Sequence, residues 1–172
     1  VDVEQRLELE STIGWRAWGR VRAIAEWRDG RRELLYQSNT VVKQAYMAML
    51  SAMAGNPDED VRWLSLGDNP APTSWEMGLG DCALGWTSSA GQLTRAVDFA
   101  NLRINFACVV DYGEANGTPA HTWYEVVLST HAGKLYSRLA PRKPDGTIAG
   151  ITKHDEYKLL IFWTIGWGVT PP

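Results

Sequence analysis

The sequence predicts a mostly β, α+β chain: an antiparallel β-sandwich or barrel-like domain with one helix after the first hairpin, plus terminal arms. Three observations carry this. Residues 13–27 alternate apolar and charged positions and run into Asp29-Gly30, a pair that tolerates the backbone of a tight hairpin. One stretch near residues 40–54 sets apolar side chains at helical spacing. The second half is a series of short β-branched and aromatic runs parted by turn signals, the even spacing of a sandwich or barrel.

The first 12 residues read as an arm, in which Leu7 and Leu9 alternate with Glu8 and Glu10. In the hairpin that follows, Trp15, Ala17, Gly19, Val21, Ala23, Ala25 and Trp27 share one face, and Arg16, Arg20, Arg22 and Glu26 the other. Its partner strand is expected at residues 33–36. Asn39 or Thr40 is placed to cap the helix, and Gly55 and Pro57 to end it. Val42, Ala45, Tyr46, Met49, Leu50 and Met53 form its apolar stripe. The methionines at 47, 49 and 53 could line an adaptable groove, but at helical spacing they are read as core. A strand at 61–66 leads into a loop at about 67–91, rich in Gly, Pro, Ser and Thr and without strand or helix period. A loop of that length in a compact domain binds something or wraps a neighbour, so it is expected to be an assembly contact.

Strands are then expected at 92–97, 103–112, 122–129, 134–139 and 157–167, with turns at Asn116-Gly117, Ala132-Gly133 and Pro144-Asp145-Gly146. In the last of them Leu159, Ile161, Trp163 and Ile165 face one way and Leu160, Phe162, Thr164 and Gly166 the other, a pattern that predicts burial on both sides. One domain, residues 13–167, follows, with a tail at 168–172 that closes on Pro171-Pro172.

Composition narrows the function classes. A net charge of −3 with dispersed basic residues offers no one-signed face for phosphates, so direct nucleic-acid binding is not expected. No window approaches the ~18 apolar residues of a membrane span, and the first residues lack a secretory signal pattern, so the chain is expected to be made in a cytoplasm. Cys82 and Cys108 have no CxxC spacing or nearby His pair and are read as buried free thiols. Nine Trp against three Phe favour contact surfaces, where a large apolar body keeps one polar contact.

Reactive constellations are not found. His121, His131 and His154 each stand alone at metal-ligand spacing, and residues 78–85 lack the lysine of a phosphate loop. Asp58, Glu59 and Asp60, like Asp155 and Glu156, fall at element boundaries, where carboxylates keep turns in water. No catalytic residue, cofactor or metal site is therefore assigned, and the expectation is a protein that is not an enzyme.

The order of short motifs adds a resemblance. Asn39-Thr40-Val41-Val42 opens the helix, and Leu64-Ser65-Leu66-Gly67 ends a strand. Glu125-Val126-Val127-Leu128, Gly133-Lys134-Leu135-Tyr136-Ser137-Arg138, Ile151-Thr152-Lys153 and Trp163-Thr164-Ile165 follow. Over residues 39–166 this resembles a group of small virion proteins of tailed bacteriophages, although Val126 and Val127 stand where that pattern has a glycine and the loop after Pro70 is longer.

The resemblance implies a β-sandwich structural protein located in the virion, without cofactors. As a capsid decoration (cement) protein it would bind the major capsid protein or other virion subunits, as a homotrimer. A tail, baseplate or fibre-attachment role is the alternative, and a carbohydrate-binding module, with Trp stacking on sugar rings, the further one. The expected interface residues are Trp15, Trp18, Arg20 and Arg22 on the first hairpin, with Trp75 and Trp86 in the long loop. For Trp15, Trp63 and Trp163 a place in the core is the favoured reading.

Overall fold

A computed structural model describes residues 16–38, 43–143, 145 and 147–168. Its strands form three antiparallel sheets. The largest has the order β2-β1-β11-β6-β5, from Arg32–Ser38 (β2), Arg16–Trp27 (β1), Tyr157–Gly168 (β11), Arg103–Val110 (β6) and Leu93–Asp98 (β5). Its spine is the pairing of β1 with β11, in register from Arg16 opposite Gly168 to Trp27 opposite Tyr157. The period of two then sorts the side chains: Val21, Ala23 and Ala25 are buried beside Ile161, Trp163 and Ile165, while Arg22 stays exposed. Gly30, at φ +84°, closes the first hairpin, its N–H donating to the Trp27 carbonyl at 2.9 Å.

The second sheet runs β4-β3-β8-β9, from Leu84–Thr87 (β4), Val61–Gly67 (β3), Glu125–Thr130 (β8) and Leu135–Leu139 (β9). It faces the first, and Leu64, Leu66, Val126 and Leu128 share one core with Phe106, Leu159, Ile161 and Trp163. The architecture is thus an antiparallel β-sandwich with, among the described residues, a single α-helix, α1, at Lys43–Met53. His121–Trp123 (β7) and Ile151–Lys153 (β10) make a two-stranded ribbon. The run expected as one strand at 122–129 splits at Tyr124, because β7 pairs with β10 whereas β8 pairs with β3 and β9. Among the described residues no helix is long and apolar enough to cross a membrane.

The segment after β3 departs from its sequence reading. It holds a 3-10 turn at Leu79–Asp81 and the strand β4, and it lies over the outer face of β8 and β9. Met77, Leu79 and Cys82 pack there on buried Val127 and Leu135. A fully buried ion pair fixes the segment: Arg138 Nε donates to Glu125 Oε2 at 2.7 Å. The remaining guanidinium donors reach the carbonyls of Ala71 and Asn69, each at 2.8 Å, and Thr73 Oγ1 at 3.1 Å. Glu125 Oε1 accepts from the backbone N–H of Ala83 at 2.6 Å. A Cβ at Gly67 would collide with that carboxylate, so the glycine leaves room for it. Every charge is matched, which is the condition for burying an ion pair without a large net cost.

Candidate functional site: an apolar mouth between the helix and the sheet edge

At one end of the sandwich the two sheets are not closed over each other. Met49 and Met53 of α1 stand on one side, Val97 and Arg95 of β5 on the other, and Ile104, Phe106, Tyr136 and Trp167 form the floor of a groove of about 470 Å³. Burial pushes the Tyr136 phenol up to about 12. Large apolar side chains are exposed at this mouth and on the elements that form it. Met53 is 85% exposed and Leu50 68% on the helix, and Phe99, in the turn between β5 and β6, is 83% exposed. Met47, Val97 and Leu102 are exposed as well.

These positions correct the core reading of the helix at Leu50 and Met53 and bear it out at Ala45 and Met49. Ala45 and Ala48 are its buried residues and Met49 is partly covered, but Leu50 and Met53 point away from the core. The physical reason is position on the helix: Ala45, Ala48 and Met49 lie on the arc that meets the core, and Leu50 lies off it. Of the three methionines weighed for a groove, Met49 and Met53 line it, whereas Met47 is exposed and does not.

The charged rim is ordered. Arg95 Nη1 donates to Asp60 Oδ2 at 3.0 Å and to the Val61 carbonyl at 3.3 Å, bridging the two sheets, and Arg62 also pairs with Asp60, at 3.2 Å. Burial works to raise the Asp60 pKa, but the hydrogen bonds and charges of Arg95 and Arg62 outweigh it and hold the carboxyl below its usual range. Glu59 corrects the expectation of a solvated turn: it is buried, its Oε1 pairs with Lys134, and its Oε2 has no hydrogen-bond partner among the described residues.

The residues expected at an interface are scattered. Trp18 lies half-buried on the outer face of the large sheet, its indole over Gly166 of the neighbouring strand, where a Cβ would collide with the ring. Arg22 stacks on Phe162 of the same face, 5.7 Å from the ring centre, and Arg20 is half-buried. Trp75 rests on Tyr46 of α1, with ring centres 5.4 Å apart. Trp86, on β4 opposite Leu66, packs against the core. Trp15 lies outside the described residues, as do the helix cap at 39–40 and both arms. Burial of β11 on both sides holds only in part: Leu160 is covered and Phe162 is exposed.

The histidines are not isolated. His121 Nε2 meets Asp68 at 2.7 Å and its ring stacks on Trp123, while His154 lies between Trp27 and Tyr157. Beside the last of these is a buried lysine, Lys153, whose ammonium donates to Asn116 Oδ1 at 2.9 Å and to the His154 carbonyl at 2.8 Å. Burial lowers its pKa to about 8, against the pull of Asp111, Asp155 and Glu114. Cys82 and Cys108 are both free, and burial pushes each thiol up to about 12; Cys82 is only partly covered. Among the described residues no group of three or more His, Cys, Asp or Glu is placed to hold a metal ion.

Comparison with protein-family models, with curated proteins and with solved structures finds no match to this chain.

Proposed function

We propose that this protein is a structural subunit that works by binding other subunits over apolar surface, and that its setting is the virion of a tailed bacteriophage, as a decoration protein on the capsid shell. One observation carries the assembly part of the reading: exposed Met53 on α1 and exposed Val97 on β5 line one apolar groove, with exposed Phe99 and Leu102 in the turn that follows β5. Large apolar side chains scattered singly are ordinary on a protein surface, but a contiguous set around a concavity marks an interaction site. Covering it transfers apolar area from water at about 25 cal/mol per Å², the term that drives most protein association. The virion setting rests on the order of motifs over residues 39–166. Its partners are then the major capsid protein and further copies of this chain.

The test is binding to particles that lack the protein. Purified chain is added to such virions, the mixture is sedimented, and bound copies are counted. Saturation at a number commensurate with the shell's subunits supports decoration. Saturation at the far smaller number of tail positions moves the protein to the tail or baseplate. A chain that stays in the supernatant, monomeric at every concentration, ends the assembly reading.

A further inference from the structure

We infer that the groove and the free edge of β5 together form a strand-acceptor site, and that its occupant is the N-terminal segment of a second copy of this chain, with Leu7 and Leu9 entering the groove. This deepens the assembly reading and rests on it.

The acceptor side is built from the register. β5 is an edge strand, paired only with β6 among the described strands. Arg95 and Val97 lie opposite Phe106 and Ile104, which are groove residues, whereas Thr94 and Ala96 lie opposite Ala107 and Asn105 on the outer face. A strand added along this edge therefore presents alternate side chains to the groove, with main-chain bonds supplying affinity and the pocket supplying selectivity. The opposite edge differs. β2 pairs with β1 through an irregularity at Ala23/Ile24, a device that discourages a further strand. β5 pairs in unbroken register along its length.

The donor side is a matter of period and reach. Residues 7–10 read Leu-Glu-Leu-Glu, so one face of an extended segment is apolar and the other acidic. The apolar face suits Val97 and the groove, and the acidic face remains in water. Every strand pairing described here is antiparallel, and the same sense is expected for the added strand. Arg16, where the described chain starts, pairs with Gly168 at the end of the sheet that also holds the β5–β6 turn. A strand outside β5 lies four strand spacings from β1, about 19 Å. With Leu9 beside Arg95, the seven steps back to Arg16 span at most about 25 Å and must pass around the Phe99 turn. In that register a chain serving its own groove has almost no slack, and a second copy carries no such tether.

The test uses full-length chains with Cys82→Ser, which removes the partly covered thiol. An isotope-labelled chain with Leu7→Cys or Leu9→Cys is mixed with an unlabelled chain carrying Val97→Cys, oxidised gently, and the linked peptides are weighed. Burial of one leucine is worth about tenfold or more in occupancy, so links from position 7 or 9 to position 97 between labelled and unlabelled chains should exceed those from Glu8→Cys by about that factor. Equal linking from Glu8→Cys, no link to position 97, or closure within one chain carrying both Leu9→Cys and Val97→Cys overturns the inference. Should the same chains bind particles without any link at 97, the inference fails and the assembly reading stands. Should they bind neither particle nor one another, both fail.

Discussion

The outer face of β8–β9 and the mouth between α1 and β5 begin from the same problem, apolar side chains that the two facing sheets do not cover, and the chain treats them in opposite ways. Over Val127 and Leu135 it lays a long segment and locks it with the buried Arg138–Glu125 pair and backbone carbonyls. Around Met53, Val97 and Phe99 the described chain lays nothing. The difference is not one of available length, because the covering segment of some twenty residues already touches the first turn of α1 through Trp75 and Tyr46. The described chain thus closes one apolar face with a matched polar lock and leaves the other open, and the open one is the face proposed here for assembly.

The largest effect should come from breaking the lock. Arg138→Met or Glu125→Ala alone strands a buried charge and should cost about 3–5 kcal/mol in urea unfolding, with faster amide exchange over residues 69–83. The pair Arg138→Met/Glu125→Leu should cost less than either single change, since no uncompensated charge remains. If each single variant unfolds like the parent, the lock is not what holds the segment.

That lock was partly legible. A glutamate in Tyr124-Glu125-Val126-Val127 and an arginine in Ser137-Arg138-Leu139 are each a charge inside an otherwise apolar strand. Their partnership across β8 and β9 depends on register, which a sequence does not print. The same limit explains the segment at 67–91: its Gly and Pro content marks irregular backbone correctly, but coverage of its own sheet looks identical in sequence to coverage of a neighbour. The strands were the legible part, because alternation such as Val21, Ala23 and Ala25 against Arg20 and Arg22 reports burial directly. Helix period reports it less well. A stripe of Ala45, Met49 and Met53 shows which residues share a side, not how far along the helix the core extends.

A smaller effect tests the covered part of the large sheet's outer face. Gly166→Ala places a methyl into the Trp18 indole and should cost about 1–3 kcal/mol with a shift in Trp fluorescence. Trp18→Ala in the same chain should recover part of the loss, which separates the collision from an intrinsic need for glycine.

Lys153 gives a pH-dependent check on the closed end of the fold. Its folded pKa of about 8 lies below its ordinary value of 10.5, so between these limits the unfolded chain binds more protons and stability rises with pH. Below about pH 8 the lysine is charged in both states and its burial penalty is fully present. From pH 8 to 9 the rise should be about 1 kcal/mol. Above pH 9 the buried thiols of Cys82 and Cys108 oppose it, because they ionise only in the unfolded chain until about pH 12. Urea titrations of the parent and of Lys153→Met should therefore diverge between pH 8 and 9, and parallel curves would show that Lys153 is not held in the way described.

The smallest effect on folding belongs to the open mouth, and it bears most directly on the central claim. Met53→Glu and Phe99→Glu replace the two most exposed large apolar side chains among the described residues, and each should change unfolding free energy by no more than about 0.5 kcal/mol. Sedimentation of the double variant, alone and with particles lacking the protein, should show the folded chain left as a monomer in the supernatant where the parent associates. Association of the double variant at the parent's concentration and stoichiometry would contradict the claim that this mouth is the surface by which the protein assembles.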